Sequence, residues 1–173
     1  MTTIAYRSGR LASDTQVNGG DDSEVFEGRS FKGGKTEDGH LWAMCGDAFD
    51  LADMRAWMED GRGKGEDTPV WPQATLIMVT PEGEVRECEA GRWLVTQAEY
   101  FAWGSGQKFA LGAMAVGASA DEAVEAACRH DPWSSEPMLV EVLGETPEVA
   151  EPIAEAELVG PQPAETWKEQ LGL

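Results

Sequence analysis

Two threonines, Thr2 and Thr3, follow the initiator methionine and lead directly into an apolar run. If Met1 is removed, Thr2 becomes the first residue and carries a hydroxyl nucleophile together with a free α-amine that can take the hydroxyl proton. A simpler interpretation is that both threonines only open an edge strand, because threonine favours β-structure. These first residues therefore indicate either N-terminal nucleophile chemistry or a chemically idle strand end.

An acidic and a basic residue further along the chain could support such a nucleophile. Asp14 lies in the strand-like run LASDTQV, where a buried carboxylate needs a partner. Lys32 in SFKGGK is the candidate partner, and Lys35 is the alternative lysine. A lysine beside the threonine hydroxyl would lower the pKa of that hydroxyl, and the aspartate would orient the lysine. Gly46 ends a predicted buried strand, where a backbone N–H could face a developing oxyanion.

Other polar residues offer further possibilities. Gly104-Ser105-Gly106 is a small polar turn ahead of a helix, and Asp131 with Ser134 forms a carboxylate–hydroxyl pair. Cys128 and His130 could form a Cys–His nucleophile pair, but at i,i+2 on a helix they would point apart. A metal site at Cys128, His130 and Asp131 lacks a second ligand cluster. We expect neither a metal nor a cofactor.

Composition limits the classes of function. The 173 residues are 42% hydrophobic and 26% charged, which is typical of one globular domain. The formal net charge of −19 argues against binding to phosphate backbones, although an acidic nucleic-acid mimic remains a lower-ranked alternative. No membrane-length apolar run or basic leader is recognisable, so we expect a cytoplasmic protein without a membrane partner. Three cysteines without a CxxC pair indicate free thiols.

The periodicity of the chain predicts strand pairs and three helices. The helix over 48–60 would bury Ala48, Leu51, Met54 and Met58, and Ser119 with Glu122 forms a capping box for the last helix. The other two helices are predicted over 107–116 and up to about His130, and a loop is predicted over 18–24. The predicted strands form a hairpin around Ser8-Gly9, a strand ending at Gly46 and a second hairpin, TLIMVT–PEGE–VRECE. Short strands at GRWLVT and before Gly104 and a last strand, MLVEVL, follow. This order suggests two sheets sandwiched between helices.

The ordered motifs resemble the proteasome-type N-terminal nucleophile hydrolases, and most closely the bacterial HslV peptidase family. The resemblance covers about residues 2–143 and is carried by TTI, DTQV, Lys32, CGDAFD, GSG and Asp131-x-x-Ser134. It implies an α+β fold, a four-layer αββα sandwich over residues 2–144, which agrees with the predicted hairpins and helices.

The resemblance also implies roles for individual residues. Thr2 would supply the nucleophile and the α-amine base, Lys32 would lower the pKa of the hydroxyl, and Asp14 would pair with Lys32. The N–H of Gly46 would form the oxyanion hole. Hydrogen bonds around the threonine amine would come from Ser105, Asp131 and Ser134.

The function implied by this resemblance is a threonine-type endopeptidase, a hydrolase that cleaves polypeptides within a homo-oligomeric ring. An AAA+ unfoldase ATPase would be its partner, whereas a nucleic acid or membrane would not. The alternative is a catalytically inactive ring or scaffold subunit that kept the motifs.

The chain departs from the family pattern at the first hairpin before Asp14, which is shorter than in many relatives, and in two further places. The lysine segment KGGK is glycine-rich, and the acidic, proline-rich residues 145–173 have no counterpart in the family. We expect these residues to form an extended arm that docks through Val149, Ile153, Leu158, Trp167 and Leu171 and ends in a short helix from about Ala164. Trp133 and Trp167 are the expected interface tryptophans.

Overall fold

The computed structural model describes residues 2–19, 26–60, 68–97 and 99–144. The expected arm over 145–173, with its helix from Ala164, lies outside the described residues, and so does Met1. Within the described ranges, no helix has the length and apolar character needed to span a membrane.

The first sheet contains the strand that follows Thr2. Its strands are β1 (Thr3–Arg7), β2 (Arg10–Asp14), β10 (Tyr100–Gly104) and β11 (Met138–Val142), in the antiparallel order β10-β1-β2-β11. Ser8 and Gly9 have φ values of 49° and 81°, the left-handed backbone that a two-residue hairpin turn requires. The predicted turn at Ser8-Gly9 is therefore confirmed.

The second sheet has five antiparallel strands in sequential order. They are β5 (Gly33–Lys35), β6 (Leu41–Gly46), β7 (Ala74–Val79), β8 (Val85–Glu89) and β9 (Arg92–Thr96). A separate two-stranded ribbon pairs β3 (Gln16–Gly19) with β4 (Phe26–Arg29). The loop predicted over 18–24 is thus wrong at Asn18 and Gly19, which belong to β3 because they pair with Glu27 and Phe26.

Three helices complete the described part of the chain. Helix α1 (Ala48–Glu59) begins at an Asp47 side chain that accepts the N–H of Phe49. Helix α2 spans Gln107–Ala115, and α3 (Ala120–His130) begins with the predicted capping box. The predicted α1 face is correct at Met54 and Met58 but wrong at Ala48, which is exposed, while Trp57 is buried in its place.

The elements form four layers with three apolar cores. Ile4, Leu11, Leu41 and Ile77 pack between the two sheets. Ala5, Ala12, Met114 and Val124 pack between the first sheet and helices α2 and α3. Met44, Met54, Trp57 and Leu76 pack between the second sheet and α1. The protein is therefore an αββα sandwich of the α+β class, as expected.

Candidate active site

Strand β1 begins at Thr3, directly after Thr2, and runs through the middle of the first sheet. Thr3 lies opposite Gly104 on β10, and the carbonyl of Thr2 accepts the N–H of Ser105 at 2.7 Å. Both threonines are almost fully buried, with exposed fractions of 1% for Thr2 and 0% for Thr3. This end of the chain is therefore fixed by backbone pairing inside the sandwich.

A buried ion pair lies beside these threonines. The Lys32 Nζ donates to both carboxylate oxygens of Asp14, at 3.0 and 3.1 Å. The same carboxylate accepts the backbone N–H groups of Thr3 at 2.8 Å and Gln16 at 3.0 Å. In each of these hydrogen bonds Asp14 is the acceptor, as expected for an ionised carboxylate, which has no hydrogen to donate.

Burial sets the protonation properties of this pair. It lowers the pKa of the Lys32 ammonium below 10.5, because removal from water disfavours the charged form, while Asp14 acts in the opposite direction. Burial likewise raises the pKa of Asp14 above 3.8, against the effects of Lys32 and the two backbone N–H groups. The Lys32 ammonium therefore loses its proton more easily than an exposed lysine does.

A second set of hydrogen bonds links the threonines to the end of α3. The hydroxyls of Ser105 and Ser134 both donate to the Oδ2 atom of Asp131, at 2.7 and 2.8 Å. The Ser134 hydroxyl also lies 2.6 Å from the hydroxyl of Thr3, and the Ser105 Oγ lies 3.3 Å from the Thr2 carbonyl oxygen. One continuous network thus joins Lys32 through Asp14 to both threonines and onward to Asp131.

The hydroxyl of Thr2 is the unpaired group within this network. Its Oγ1 is buried and has no hydrogen-bond partner among the described residues. Because side chains alternate along an extended chain, Thr2 faces the same side as Ile4, whose side chain lies between the sheets. A buried hydroxyl without a partner costs about 1–3 kcal/mol. Buried polar groups are nearly always hydrogen-bonded, and a buried hydroxyl without a partner is a feature that catalytic groups show.

A cleft of about 530 Å³ opens onto Thr2. Gly46 lines this cleft and has a φ of 143°. A Cβ at Gly46 would lie 2.2 Å from the carbonyl oxygen of Gln73, so the backbone can take this path only with glycine. Gly104 is equally constrained, since a Cβ there would lie 1.9 Å from the Thr2 carbonyl oxygen.

The structure brings six of the seven candidate residues into one hydrogen-bonded network, and it places the seventh, Gly46, on the cleft beside Thr2. The network members are Thr2, Asp14, Lys32, Ser105, Asp131 and Ser134. Lys35, the alternative lysine, instead donates to the carbonyl of Val142 at 2.9 Å.

Sequence reasoning missed two members of the network, Thr3 and Gln16. Thr3 contributes both its N–H, to Asp14, and its hydroxyl, to Ser134. The Thr2-Thr3 doublet was the available signal, since adjacent strand residues face opposite sides and can serve two different contacts. Gln16 acts through its backbone N–H, which no side-chain pattern reveals.

The thiol and metal alternatives gain no support from the described residues. The His130 ring packs against Phe109, and burial raises the pKa of the Cys128 thiol to about 11. Few such thiols are ionised at neutral pH, and the thiolate is the nucleophile. Among the described residues, no three His, Cys, Asp or Glu side chains are grouped as metal ligands.

A larger concavity of about 1050 Å³ lies on the outer face of the second sheet, beside α1. Trp42, Trp57 and Trp93 contribute to its walls, but Thr2 and its hydrogen-bonded neighbours do not. Size alone therefore does not identify the reactive cleft, and we place the candidate active site at the smaller one.

No family model matches the chain, and no curated protein matches it. Solved structures do. HslV from Trypanosoma brucei is 22% identical with a TM-score of 0.60, and the match covers 82% of this chain and 98% of that one. Thiobacillus denitrificans BPH in complex with epoxomicin is 17% identical with a TM-score of 0.55, covering 83% of this chain and 99% of that one.

A third structure, an Anbu (Gly-1) mutant from Hyphomicrobium sp. strain MC1, is 10% identical with a TM-score of 0.59, and the match covers 82% of this chain and 80% of that one. At these identities the likeness concerns the fold. The chain has the fold of these solved structures, a proteasome-like N-terminal nucleophile hydrolase fold. The resemblance drawn from the sequence motifs is thus confirmed for the architecture.

Proposed function

We propose that the protein is a threonine-type endopeptidase of a proteasome-like ring assembly, with Thr2 as its nucleophile once Met1 has been removed. The observation that carries this proposal is the buried, unpartnered Oγ1 of Thr2 at the edge of a cleft, next to an otherwise saturated hydrogen-bond network. A purely structural threonine at this place would be expected to use its hydroxyl as Thr3 does.

The reaction begins with proton transfer from the Thr2 hydroxyl to the α-amine of the same residue. An α-amine has an ordinary pKa of about 7.7–8.0, so a minor but usable fraction of it is neutral and able to accept a proton near physiological pH. The Lys32 ammonium favours the alkoxide electrostatically, and Asp14 holds Lys32 in place through two hydrogen bonds.

The Oγ1 of Thr2 then attacks the carbonyl carbon of the peptide bond. The carbonyl oxygen becomes an oxyanion, which the N–H of Gly46 stabilises at the cleft. The protonated α-amine delivers its proton to the leaving amine, and an ester joins Thr2 to the acyl half of the substrate. Water, deprotonated by the same α-amine, hydrolyses that ester and restores the hydroxyl.

Ser105, Asp131 and Ser134 act as positioning residues in this proposal. Asp131 fixes the two serine hydroxyls, and these contact the Thr2 carbonyl and the Thr3 hydroxyl respectively. The carboxylate also supplies negative charge that favours the protonated form of the α-amine after proton transfer.

We further propose that the peptidase acts as a homo-oligomeric ring in the cytoplasm, with an AAA+ unfoldase as partner. The described surface exposes large apolar side chains that subunit contacts would cover, including Phe49 at 84% and Val116 at 88% exposed. Trp133, the expected interface tryptophan, is 38% exposed. A ring would shield the reactive threonine from proteins that are not delivered to it.

Intact-mass spectrometry and peptide hydrolysis test this proposal together. Protein made in bacteria should have lost one methionine, and it should hydrolyse fluorogenic peptides. Thr2→Ala should reduce hydrolysis to the background rate, whereas Thr36→Ala, a matched change outside the cleft, should not. Because BPH has been solved in complex with epoxomicin, that compound is also a suitable probe, and it should inhibit peptide hydrolysis by the chain that begins at Thr2. Quantitative retention of Met1 would favour the inactive scaffold instead.

A further inference from the structure

The cleft beside Thr2 has one charged side chain in its described lining, that of Glu89. The other wall side chains are uncharged, among them Cys45, Ala74 and Thr75. Because no other described side chain of the lining is charged, this carboxylate favours a cationic group of a ligand at its own end of the cleft.

The sheet register places this carboxylate in line with the proposed oxyanion site. Cys45 on β6 lies opposite Thr75 on β7, and Thr75 lies opposite Glu89 on β8. Cross-strand partners project to the same face, and Cys45 borders the core between the two sheets, so all three face the first sheet. Two strand spacings separate Cys45 from Glu89, which amounts to about 10 Å.

The charge of Glu89 is available to a ligand. Its register partner on β9 is Arg92, yet the structure shows no ion pair between them, and Glu89 is exposed. Burial raises the pKa of the Cys45 thiol to about 11, and the charges of Glu87 and Glu89 add to that rise against the opposing effect of Lys32.

We propose that the cleft selects a basic substrate residue, Lys or Arg, on the acyl side of the cleaved bond, and that Glu89 determines this preference. The aliphatic stem of such a residue runs along Cys45 and Thr75, and its cationic end reaches Glu89, about two strands away from the reacting carbonyl. This inference rests on the proposed function, since it names the substrate class of the same site.

Leucine and glutamate at the same substrate position are disfavoured for different reasons. Leucine takes water from the Glu89 carboxylate without replacing it by an opposite charge, and glutamate adds a like charge. We expect at least a tenfold preference for arginine over leucine, which corresponds to about 1.4 kcal/mol.

The first part of the test measures binding without hydrolysis. Fluorescein-labelled tripeptide amides that differ only in a last residue of Arg, Leu or Glu are titrated against full-length Thr2→Ala protein, and Kd is measured by fluorescence polarisation. The Arg peptide should bind at least tenfold more tightly than the Leu peptide. A further Glu89→Gln change should remove that difference, and Glu89→Lys should make the Glu peptide the tightest binder.

The matched control is Glu82→Gln, which removes the same charge from an exposed turn residue outside the cleft lining. It should leave the Kd ratio unchanged. Equal affinity for Arg and Leu peptides, an absence of binding, or a ratio that Glu82→Gln alters as much as Glu89→Gln does would overturn the proposal.

The second part measures kcat/KM for the corresponding fluorogenic peptides with the chain that retains Thr2. A tenfold preference for Arg, lost in Glu89→Gln, supports the inference. Hydrolysis without a preference for basic residues refutes the role of Glu89 but leaves the threonine peptidase intact. Selective binding of the Arg peptide without any hydrolysis supports the cleft preference and refutes the peptidase.

Discussion

Replacing Lys32 by methionine tests the buried ion pair directly. Lys32→Met keeps most of the stem volume but removes the ammonium that donates twice to Asp14. Loss of one partner of a buried pair costs about 3–5 kcal/mol. Because Asp14 keeps two backbone N–H donors, we expect a loss of about 3 kcal/mol in the free energy of unfolding. That is a large fraction of the total stability of a typical domain, about 5–15 kcal/mol.

The reciprocal change and the double variant make the test sharper. Asp14→Asn leaves the buried Lys32 ammonium without its countercharge, so it should also destabilise the protein by about 3 kcal/mol. The double variant leaves neither charge unpaired. Its cost should therefore fall below the sum of the single costs by about 2–3 kcal/mol, within the range of coupling energies measured for residues in contact.

Urea unfolding at pH 7, followed by the fluorescence of the seven tryptophans, measures these quantities at one fixed protein concentration. Lys35→Met is the matched control, because Lys35 donates to the backbone carbonyl of Val142 and is not a partner of Asp14. It should cost about 0.5–1.5 kcal/mol. Single costs that add to within about 0.5 kcal/mol, or a Lys32→Met cost no greater than that of Lys35→Met, would refute the reasoning.

Four further predictions follow from the site and from the regions around it. Peptide hydrolysis should increase as the pH is raised through about 7.7–8.0, where the Thr2 α-amine loses its proton. As the pH is raised further, hydrolysis should decrease before pH 10.5 is reached, because burial lowers the pKa of Lys32 and its positive charge is lost below that pH. A pH–rate profile that still rises at 10.5 contradicts this. Gly46→Ala should lower kcat by at least about tenfold, since its Cβ would displace the backbone that faces the oxyanion, and steady-state kinetics with an unchanged kcat would argue against the oxyanion role. Light scattering should give a mass several times 18.7 kDa, and a stable monomer at micromolar concentration would oppose the ring. Deletion of residues 145–173 should weaken assembly or solubility but spare hydrolysis by the oligomer that remains, whereas unchanged assembly would show the segment to be dispensable.

The sequence was sufficient to predict those elements whose structure depends on residues close to them along the chain. The capping box formed by Ser119 and Glu122 fixes the start of α3, and the Ser8-Gly9 pair fixes the first hairpin turn. Both rely on backbone conformations and contacts within a few residues, so composition and spacing identify them.

Elements that depend on tertiary pairing were harder to predict. Strand β5 contains two glycines and one lysine, so it has no apolar alternation, and it exists because it pairs with β6. On α1 the buried position is Trp57 rather than Ala48, because Trp57 packs against Trp71, which lies outside the helix. The spacing of apolar residues within a helix does not indicate which residues outside the helix will pack against it.

In the candidate site, too, some features could be predicted from the sequence and others depend on tertiary contacts. The family resemblance named Thr2, Asp14 and Lys32, but it left Lys35 as an alternative, which only the three-dimensional contacts distinguish. The bridging role of Thr3 joins residues 131 positions apart in sequence, through its contact with Ser134. Such long-range closure depends on how the sheets and α3 pack, and no local motif contains it.

The α-amine of Thr2 is the central element of the proposed mechanism, and one comparison tests it most directly. Two preparations of the full chain, one beginning at Thr2 and one with Met1 retained, are verified by intact mass and compared in hydrolysis of the same fluorogenic peptide. The account predicts hydrolysis only by the chain that begins at Thr2, because Met1 converts the base into an amide. Equal rates for the two preparations would contradict it.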